Sequence, residues 1–355
     1  AAHESALSPI TGGMACVAEA CDDGAGHAHG RAHDDRIPVT IVTGFLGSGK
    51  TTFVNHVLKG MHGKRVAVIE NEFGEVGVDD ALVVETKEEI FEMNNGCICC
   101  TVRGDLIRIL GKLMLRRDKF DYILIETTGL ADPAPVAQTF FVDEEVKESM
   151  RLDAILTIVD CAHVTQHLEE EKPEGVENES VEQVAFADVL LLNKTDLVSE
   201  EEKAAVLGRV RAINPTCKVV ESVQSVVDLG EVLGVRAFDL DATLARDDAF
   251  LDVDGEHQHD DSVGSVGFEL EGELDAGKVN SWLSGLLRER GVDIFRSKGV
   301  LALAGTGERV VFQGVHMLMS LGSSADGVGR PWGEGERRVN KIVFIGRRLD
   351  RASLE

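Results

Sequence analysis

Three groups of residues have the types and spacing to do chemistry. The first is Gly44-Phe-Leu-Gly-Ser-Gly-Lys-Thr51, which reads G-x-x-x-x-G-K-T. At that spacing Gly44, Gly47 and Gly49 let backbone N–H groups turn inward onto phosphate oxygens, and the N-terminus of a following helix adds its partial positive charge. Lys50 can then reach the β- and γ-phosphates and the Thr51 hydroxyl can hold Mg²⁺, with Ser48 and Thr52 completing the loop contacts. The plainer reading is a strand–turn–helix corner. The second group is Asn193-Lys-Thr-Asp196, at the end of the apolar run Val189–Leu192. Guanine presents N1–H and its 2-amino group side by side, and one carboxylate, Asp196, can accept both. Adenine lacks that pair of donors. Asn193 can tie the loop together and the Lys194 stem can pack on the base, so the nucleotide expected is GTP.

The third group is Asn95-Gly-Cys-Ile-Cys-Cys-Thr101. Cys97, Cys99 and Cys100 can present thiolates from a tight turn, and thiolate suits Zn²⁺. Structural zinc sites use four ligands, so this set is one short and suits a transferable ion better than a permanent one. A buried cysteine cluster or a redox pair is the alternative. Two acidic segments lie close by in sequence. Asn71-Glu-Phe-Gly-Glu-Val-Gly-Val-Asp79 suits a loop near a cation, and Glu72 is its candidate Mg²⁺ ligand. Tyr122-Ile-Leu-Ile-Glu126 is a strand ending in a carboxylate, placed to orient Mg²⁺ or its water; Gly129, three residues on, can let the backbone approach a γ-phosphate. No residue stands out to orient the attacking water. His163 and His167 lie four apart, and with no cysteine or carboxylate set beside them they read as surface histidines.

The elements that must carry these groups alternate. Apolar runs at Val39–Thr43, Arg65–Glu70, Tyr122–Glu126, Ala154–Asp160, Val189–Asn193 and Lys218–Glu221 are separated by helical stretches. Continuous V/I/L runs of this kind belong to strands buried on both faces, hence to a mostly parallel α/β sheet with its functional loops at the strands' C-terminal ends. Residues 1–36 read as a flexible tail containing His27, His29 and His33 with Cys16 and Cys21 upstream, either a solvated tail or a weak metal-collecting arm. Residues 37–235 form the expected nucleotide domain. Residues 236–263 read as an acidic linker with His257 and His259. Residues 264–355 give β-α-β-β-β, a small α+β domain.

Composition bounds the partners. The chain has 355 residues, 43% of them hydrophobic, and a net charge of −26; its pI is about 4.8 and its mean hydropathy −0.02. So acidic a surface repels phosphate backbones, which argues against nucleic acid, and no apolar run reaches the ~18 residues of a membrane span. Of seven cysteines, three fall within four positions, which is no secreted disulfide framework but fits reduced thiols available to metal. The expected compartment is cytoplasmic, or the plastid stroma should a transit peptide have been removed.

With these residues in hand the sequence resembles the CobW-type metallochaperone GTPases, P-loop proteins grouped with the urease and hydrogenase nickel-insertion factors. The resemblance spans roughly residues 37–350. It rests on Gly44–Thr51, Glu70-Asn-Glu-Phe-Gly-Glu75, Cys97-Ile-Cys-Cys100, Glu126-Thr-Thr-Gly129 with Asp132-Pro133, Asn193–Asp196, and, further on, Arg296-Ser-Lys-Gly299, Phe312-Gln-Gly-Val-His316, Pro331-Trp332 and Ile345-Gly-Arg347. It implies slow GTP hydrolysis, Zn²⁺ (Co²⁺ in some members) at C-x-C-C with Glu70 as an added ligand, and delivery to a client metalloprotein. Cobalt supply for cobalamin synthesis, or GTP-stabilised zinc storage or sensing, are the other readings. Nucleotide-dependent homodimers occur among relatives. Eukaryotic zinc-regulated activators carry a Cys-Pro-led docking segment near the N-terminus that residues 1–36 do not show. The family's C-terminal domain also ends in a helix after the stretch matching Ile345–Asp350, which the sequence to Glu355 is expected to lack.

Overall fold

The computed structural model describes residues 35–60, 64–70, 90–92, 101–170, 172, 178–238, 263–323 and 331–354. Asp35–Glu355 forms one compact unit. Its first half is built on seven strands: β1 (Ile37–Thr43), β2 (Val66–Glu70), β3 (Ile90–Glu92), β4 (Tyr122–Glu126), β5 (Met150–Asp160), β6 (Val189–Asn193) and β7 (Lys218–Glu221). They lie in the order β3-β2-β4-β1-β5-β6-β7, and every neighbouring pair is parallel. Parallel neighbours need crossovers, and these put helices on both faces. That is why β4 and β6 read as unbroken apolar runs and are buried almost throughout.

The helices are α1 (Lys50–Gly60), α2 (Thr101–Met114), α3 (Ala134–Val142), α4 (Glu144–Ser149), α5 (Val164–Leu168), α6 (Glu179–Phe186), α7 (Glu200–Ile213) and α8 (Leu229–Val232). Their starts follow from local chemistry. Asn178 caps α6 by accepting from the N–H groups of Ser180 and Val181. Ser199 and Glu202 close a reciprocal capping box on α7, which satisfies two otherwise orphaned donors. Asp132 accepts from Ala134 N–H at 2.8 Å ahead of α3.

The second half is a five-stranded antiparallel sheet in the order β11-β10-β9-β12-β8. Its strands are β8 (Val263–Glu271), β9 (Ile294–Ala302), β10 (Arg309–Val315), β11 (Leu318–Ser323) and β12 (Val339–Arg347), with a helix over Ala276–Arg290. The α+β character is as the sequence suggested, but the element order is corrected to β-α-β-β-β-β. The run Arg309–Met319 is a hairpin and not one strand, turning at His316 and Met317 between the paired residues Val315 and Leu318. His316 takes φ +51° there; with no Gly, Asn or Asp at the tip, the sequence carries no turn signal. After β12 a helical turn begins at Arg351–Leu354, and Leu354 is buried.

The two sheets share a core. Phe295, Val315, Val343 and Ile345 of the antiparallel sheet pack in one cluster with Val136, Phe140, Ala185 and Phe186 of the parallel half. A second fixed point lies at the strands' N-terminal ends, where the fully buried Asp153 gathers the chain. It accepts from the Tyr122 hydroxyl at 2.7 Å, from the Val235 and Arg236 N–H groups at 3.2 and 2.9 Å, and from Arg151 at 3.2 Å.

Candidate functional site

Phe45–Gly49 leave the end of β1 and lead directly into α1. Gly49 adopts φ +111°, and a Cβ there would lie 2.5 Å from Asn193 Nδ2 and 2.7 Å from Ser225 Oγ. Only glycine meets both demands. The Lys50 side chain is nearly buried and donates to the carbonyls of Gly44 at 2.8 Å and Phe45 at 3.1 Å. Burial pulls its pKa below the ordinary lysine value, against the opposing pull of the Glu126 carboxylate.

Glu126 sits on β4 beside β1, in register with Val42. This brings its Oε1 to 3.2 Å from the Thr51 hydroxyl, which donates to it. A hydroxyl and a carboxylate converging at a phosphate loop are the oxygen donors that a hard cation such as Mg²⁺ takes. Beyond Glu126 the chain stays locked to the loop. Thr127 N–H donates to Val42 C=O at 2.9 Å, and its hydroxyl donates to that of Thr43 at 2.9 Å. Gly129 lies so close over the loop that a Cβ would fall 2.7 Å from Leu46 N.

The other wall is built around Asn193, which is 2% exposed. Its Nδ2 donates to Ser48 C=O at 2.9 Å and Ser225 Oγ at 3.0 Å. Its Oδ1 accepts from Ser225 N–H at 2.8 Å and from Ser222 Oγ at 3.1 Å. One buried amide thus ties β6, the phosphate loop and the loop after β7. Lys194 stands at φ +62° and donates to Asp160 Oδ2 at 2.7 Å. Burial would raise the Asp160 carboxyl, but hydrogen bonds from Lys194, His163 and Ala162 N–H outweigh it and lower the pKa. Asp196 is exposed on the short turn Thr195–Leu197, free of the packing that holds Asn193.

The structure therefore brings Gly44, Gly47, Ser48, Gly49, Lys50, Thr51, Thr52, Glu126, Gly129, Asn193, Lys194 and Asp196 to one edge of the sheet. Glu72, Cys97, Cys99 and Cys100 lie outside the described residues, as do the histidine and cysteine positions of the tail and the linker. Glu70 ends β2 in register with Glu126. Among the described residues no group of three or more His, Cys, Asp or Glu converges to hold a metal. His163, exposed as a surface histidine, donates through Nδ1 to Asp160 Oδ2 at 2.9 Å, whereas His167 packs on Phe45 of the phosphate loop with ring centroids 3.5 Å apart.

Residues that sequence reading missed are Asp160, Gln183 and the loop Ser222–Ser225. That loop takes left-handed backbone at Gln224 (φ +52°) and Ser225 (φ +56°) without glycine. Its one available signal was position, directly after the last parallel strand. Among the described residues no helix is long and apolar enough to cross a membrane.

Comparison with known proteins agrees with this geometry. Residues 38–221 match the CobW/HypB/UreG nucleotide-binding domain, and residues 263–355 match the cobalamin synthesis protein CobW C-terminal domain. The chain is 37% identical over 317 residues to zinc chaperone YjiA of Escherichia coli, covering 88% of this chain and 95% of that protein. It is 34% identical over 355 residues to zinc-regulated GTPase metalloprotein activator 1 of Schizosaccharomyces pombe, covering 90% and 84%. A crystal structure of Zn(II)-bound YjiA GTPase from E. coli superposes with a TM-score of 0.70 at 31% identity, covering 90% of this chain and 96% of that one. With both halves matched, and with the phosphate loop and Asn193–Asp196 assembled at one sheet edge, the chain belongs to the CobW/HypB/UreG family of P-loop GTPases.

Proposed function

We propose that this GTPase is a zinc chaperone, which binds Zn²⁺ through Cys97, Cys99 and Cys100 with help from Glu70 and hands it to a client metalloprotein under nucleotide control. The observation that carries the reading is topological. β3 pairs in parallel with β2, and β2 with β4, so Glu92, Glu70 and Glu126 end their strands in register on the edge that carries the phosphate loop, and the three cysteines lie in sequence between Glu92 and Thr101, where α2 begins. The stretch is therefore bounded by β3, whose last residue is in register with Glu70 and, through it, with Glu126, and by α2. The relatives named as zinc chaperones and as a zinc-regulated activator support the choice of metal.

In this reading Asp196 accepts the two guanine donors, while Asn193 holds its loop against Ser48 and Ser225. Lys50 leaves the carbonyls of Gly44 and Phe45 for the β/γ-phosphates and offsets charge developing on the leaving oxygens. Thr51 and Glu126 would hold Mg²⁺, with Glu72 as a further candidate; the ion would neutralise phosphate oxygens when bound. Gly129 brings backbone up to the γ-phosphate.

The test is zinc affinity of the full chain loaded with GTPγS, with GDP, or with neither. Nucleotide control requires affinities that differ by about tenfold or more, ~1.4 kcal/mol of coupling. Equal affinity in all three states rejects nucleotide control. Unchanged zinc stoichiometry in a Cys97→Ser/Cys99→Ser/Cys100→Ser variant rejects the site.

A further inference from the structure

Helix α6 touches both the Gly129 turn and the antiparallel sheet. Near its middle is Gln183, 1% exposed. Its Nε2 donates to the carbonyls of Gly129 at 3.1 Å and Ala131 at 3.2 Å. Its own backbone carbonyl accepts from the Thr157 hydroxyl of β5 at 2.7 Å. The turn that lies over Leu46 is therefore held from behind by one buried amide. Three residues on, Phe186 meets the other half of the protein. Its ring lies 5.5 Å from that of Phe295 and 5.2 Å from that of His316, centroid to centroid. Directly after the helix, buried Asp188 accepts from Arg296 and, at 3.2 Å, from Lys298, both on β9.

We propose that Gln183 is a positioning residue for GTP hydrolysis, and that through it α6 transmits the state of the Gly129 turn to the antiparallel sheet. The physical case is that two carbonyls of one turn share one donor side chain. A shift of that turn, of the size that a γ-phosphate contact imposes, breaks or re-aims two hydrogen bonds to a fully buried amide, which cannot turn to water instead. The amide moves with the turn or is left unsatisfied. Gln183 and Phe186 lie on neighbouring helical positions, three apart, so displacement at the middle of this eight-residue helix reaches the aromatic contact at its C-terminal end. Close packing makes such a contact move as a unit. The inference rests on reading Gly129 as the γ-phosphate-facing turn and makes no use of zinc.

The chain supplies its own reporter. Both of its tryptophans, Trp282 and Trp332, belong to the second half. Trp282 packs edge-on to Phe268 and Phe344, and Trp332 stacks under Arg309 with 4.1 Å from guanidinium carbon to ring centroid. The experiment compares tryptophan emission of the full chain with GTPγS and with GDP, alongside steady-state GTP hydrolysis and binding of a fluorescent GTP analogue. Wild type should show an emission difference. Gln183→Leu, which keeps the volume and removes the donor, should lose that difference and lower kcat by about tenfold with KM changed less than about threefold, the mark of an interaction that acts beyond ground-state binding. His316→Ala, remote from the nucleotide, should shrink the emission difference and leave kcat and KM in place. A folded Gln183→Leu protein that keeps the full difference and the wild-type kcat overturns the proposal. So does a wild-type protein that binds the analogue without any emission change. Should Gln183→Leu not fold, His316→Ala decides the matter, because an undiminished difference there rejects the α6 route. Failure to bind the GTP analogue at all rejects the reading of the nucleotide site and is distinguishable from loss of coupling.

Discussion

The role proposed for Asp196, acceptance of the two guanine donors, draws little on its own packing. Asp196 is exposed and held only by the turn it sits on, while its neighbour Asn193 is buried and makes four hydrogen bonds to Ser48, Ser222 and Ser225. The division of labour gives separable outcomes. Asp196→Ala should weaken GTP binding by about a hundredfold, ~2.7 kcal/mol for two lost charge-assisted hydrogen bonds, and leave thermal stability nearly unchanged. Asn193→Ala should lose stability as well, since it strands several buried partners. Equilibrium binding of GTP and ATP with melting curves on the same samples checks both, and retained preference for GTP in Asp196→Ala counts against its assignment. Cys217 is a different case, a cysteine outside the Cys97–Cys100 run. Burial pushes its thiol from 9.0 up to about 11, so the native state holds its proton where the unfolded chain has lost it. With the folded pKa raised, the stabilisation is complete below pH ~9 and falls away as pH climbs toward ~11, by at most roughly 2–3 kcal/mol. Urea melts at pH 8 and 10.5 should show a smaller pH-dependent loss in Cys217→Ala than in wild type; equal losses rule the thiol out.

At the scale of elements, the knot around Asp153 joins three segments distant in sequence. Tyr122 on β4, Thr40 on β1 and the Gly234–Arg236 stretch all hydrogen-bond to it or through the tyrosine hydroxyl. Asp153→Ala would remove the buried acceptor shared by the Tyr122 hydroxyl, Arg151 and two backbone N–H groups, at a cost of about 3–5 kcal/mol, whereas Tyr122→Phe removes one hydroxyl and should cost about 1–2 kcal/mol. Chemical denaturation of the two variants tests the ranking, and a Tyr122→Phe loss as large as that of Asp153→Ala contradicts it. None of this was legible beforehand, because a lone Asp inside Met150–Asp160 announces no partners. The parallel strands were legible for the opposite reason: strands buried on both faces must be apolar throughout, and β4 and β6 say so residue by residue. The phosphate loop was legible because glycine at positive φ is a chemical necessity there. The hairpin at His316–Met317 and the loop at Gln224–Ser225 escaped because non-glycine residues adopt left-handed backbone, a choice made by their tertiary surroundings and not by local propensity. Gln183 escaped because its partners are backbone carbonyls, and backbone contacts leave no mark on composition.

For the molecule as a whole, the decisive feature is that its two halves are welded. Phe186, Phe295, Val315 and Ile345 share one cluster, and Asp188, Arg296 and Lys298 form a buried ionic contact across it, with side chains 1%, 3% and 10% exposed. Two cations face one carboxylate. Burial lowers the pKa of both Arg296 and Lys298, and Asp188 opposes that shift in each. Such a contact favours a unique docking more than it favours stability, since an apolar replacement of the entire set can be neutral, whereas removing one partner strands the others. Asp188→Ala should therefore cost about 3–5 kcal/mol. It should also uncouple the halves. Tryptophan emission reports only the second half, whose two tryptophans are the chain's complete set, while far-UV circular dichroism reports both. In wild type the two urea transitions should coincide, as one cooperative unit requires. In Asp188→Ala the tryptophan transition should come first, at lower urea, with the parallel sheet unfolding later. The triple variant Asp188→Leu/Arg296→Met/Lys298→Met should restore coincidence, because it replaces the entire set and the cluster that surrounds it can close over apolar side chains. Coincident transitions in Asp188→Ala, shifted by less than about 1 kcal/mol, would show that the apolar cluster alone holds the halves together.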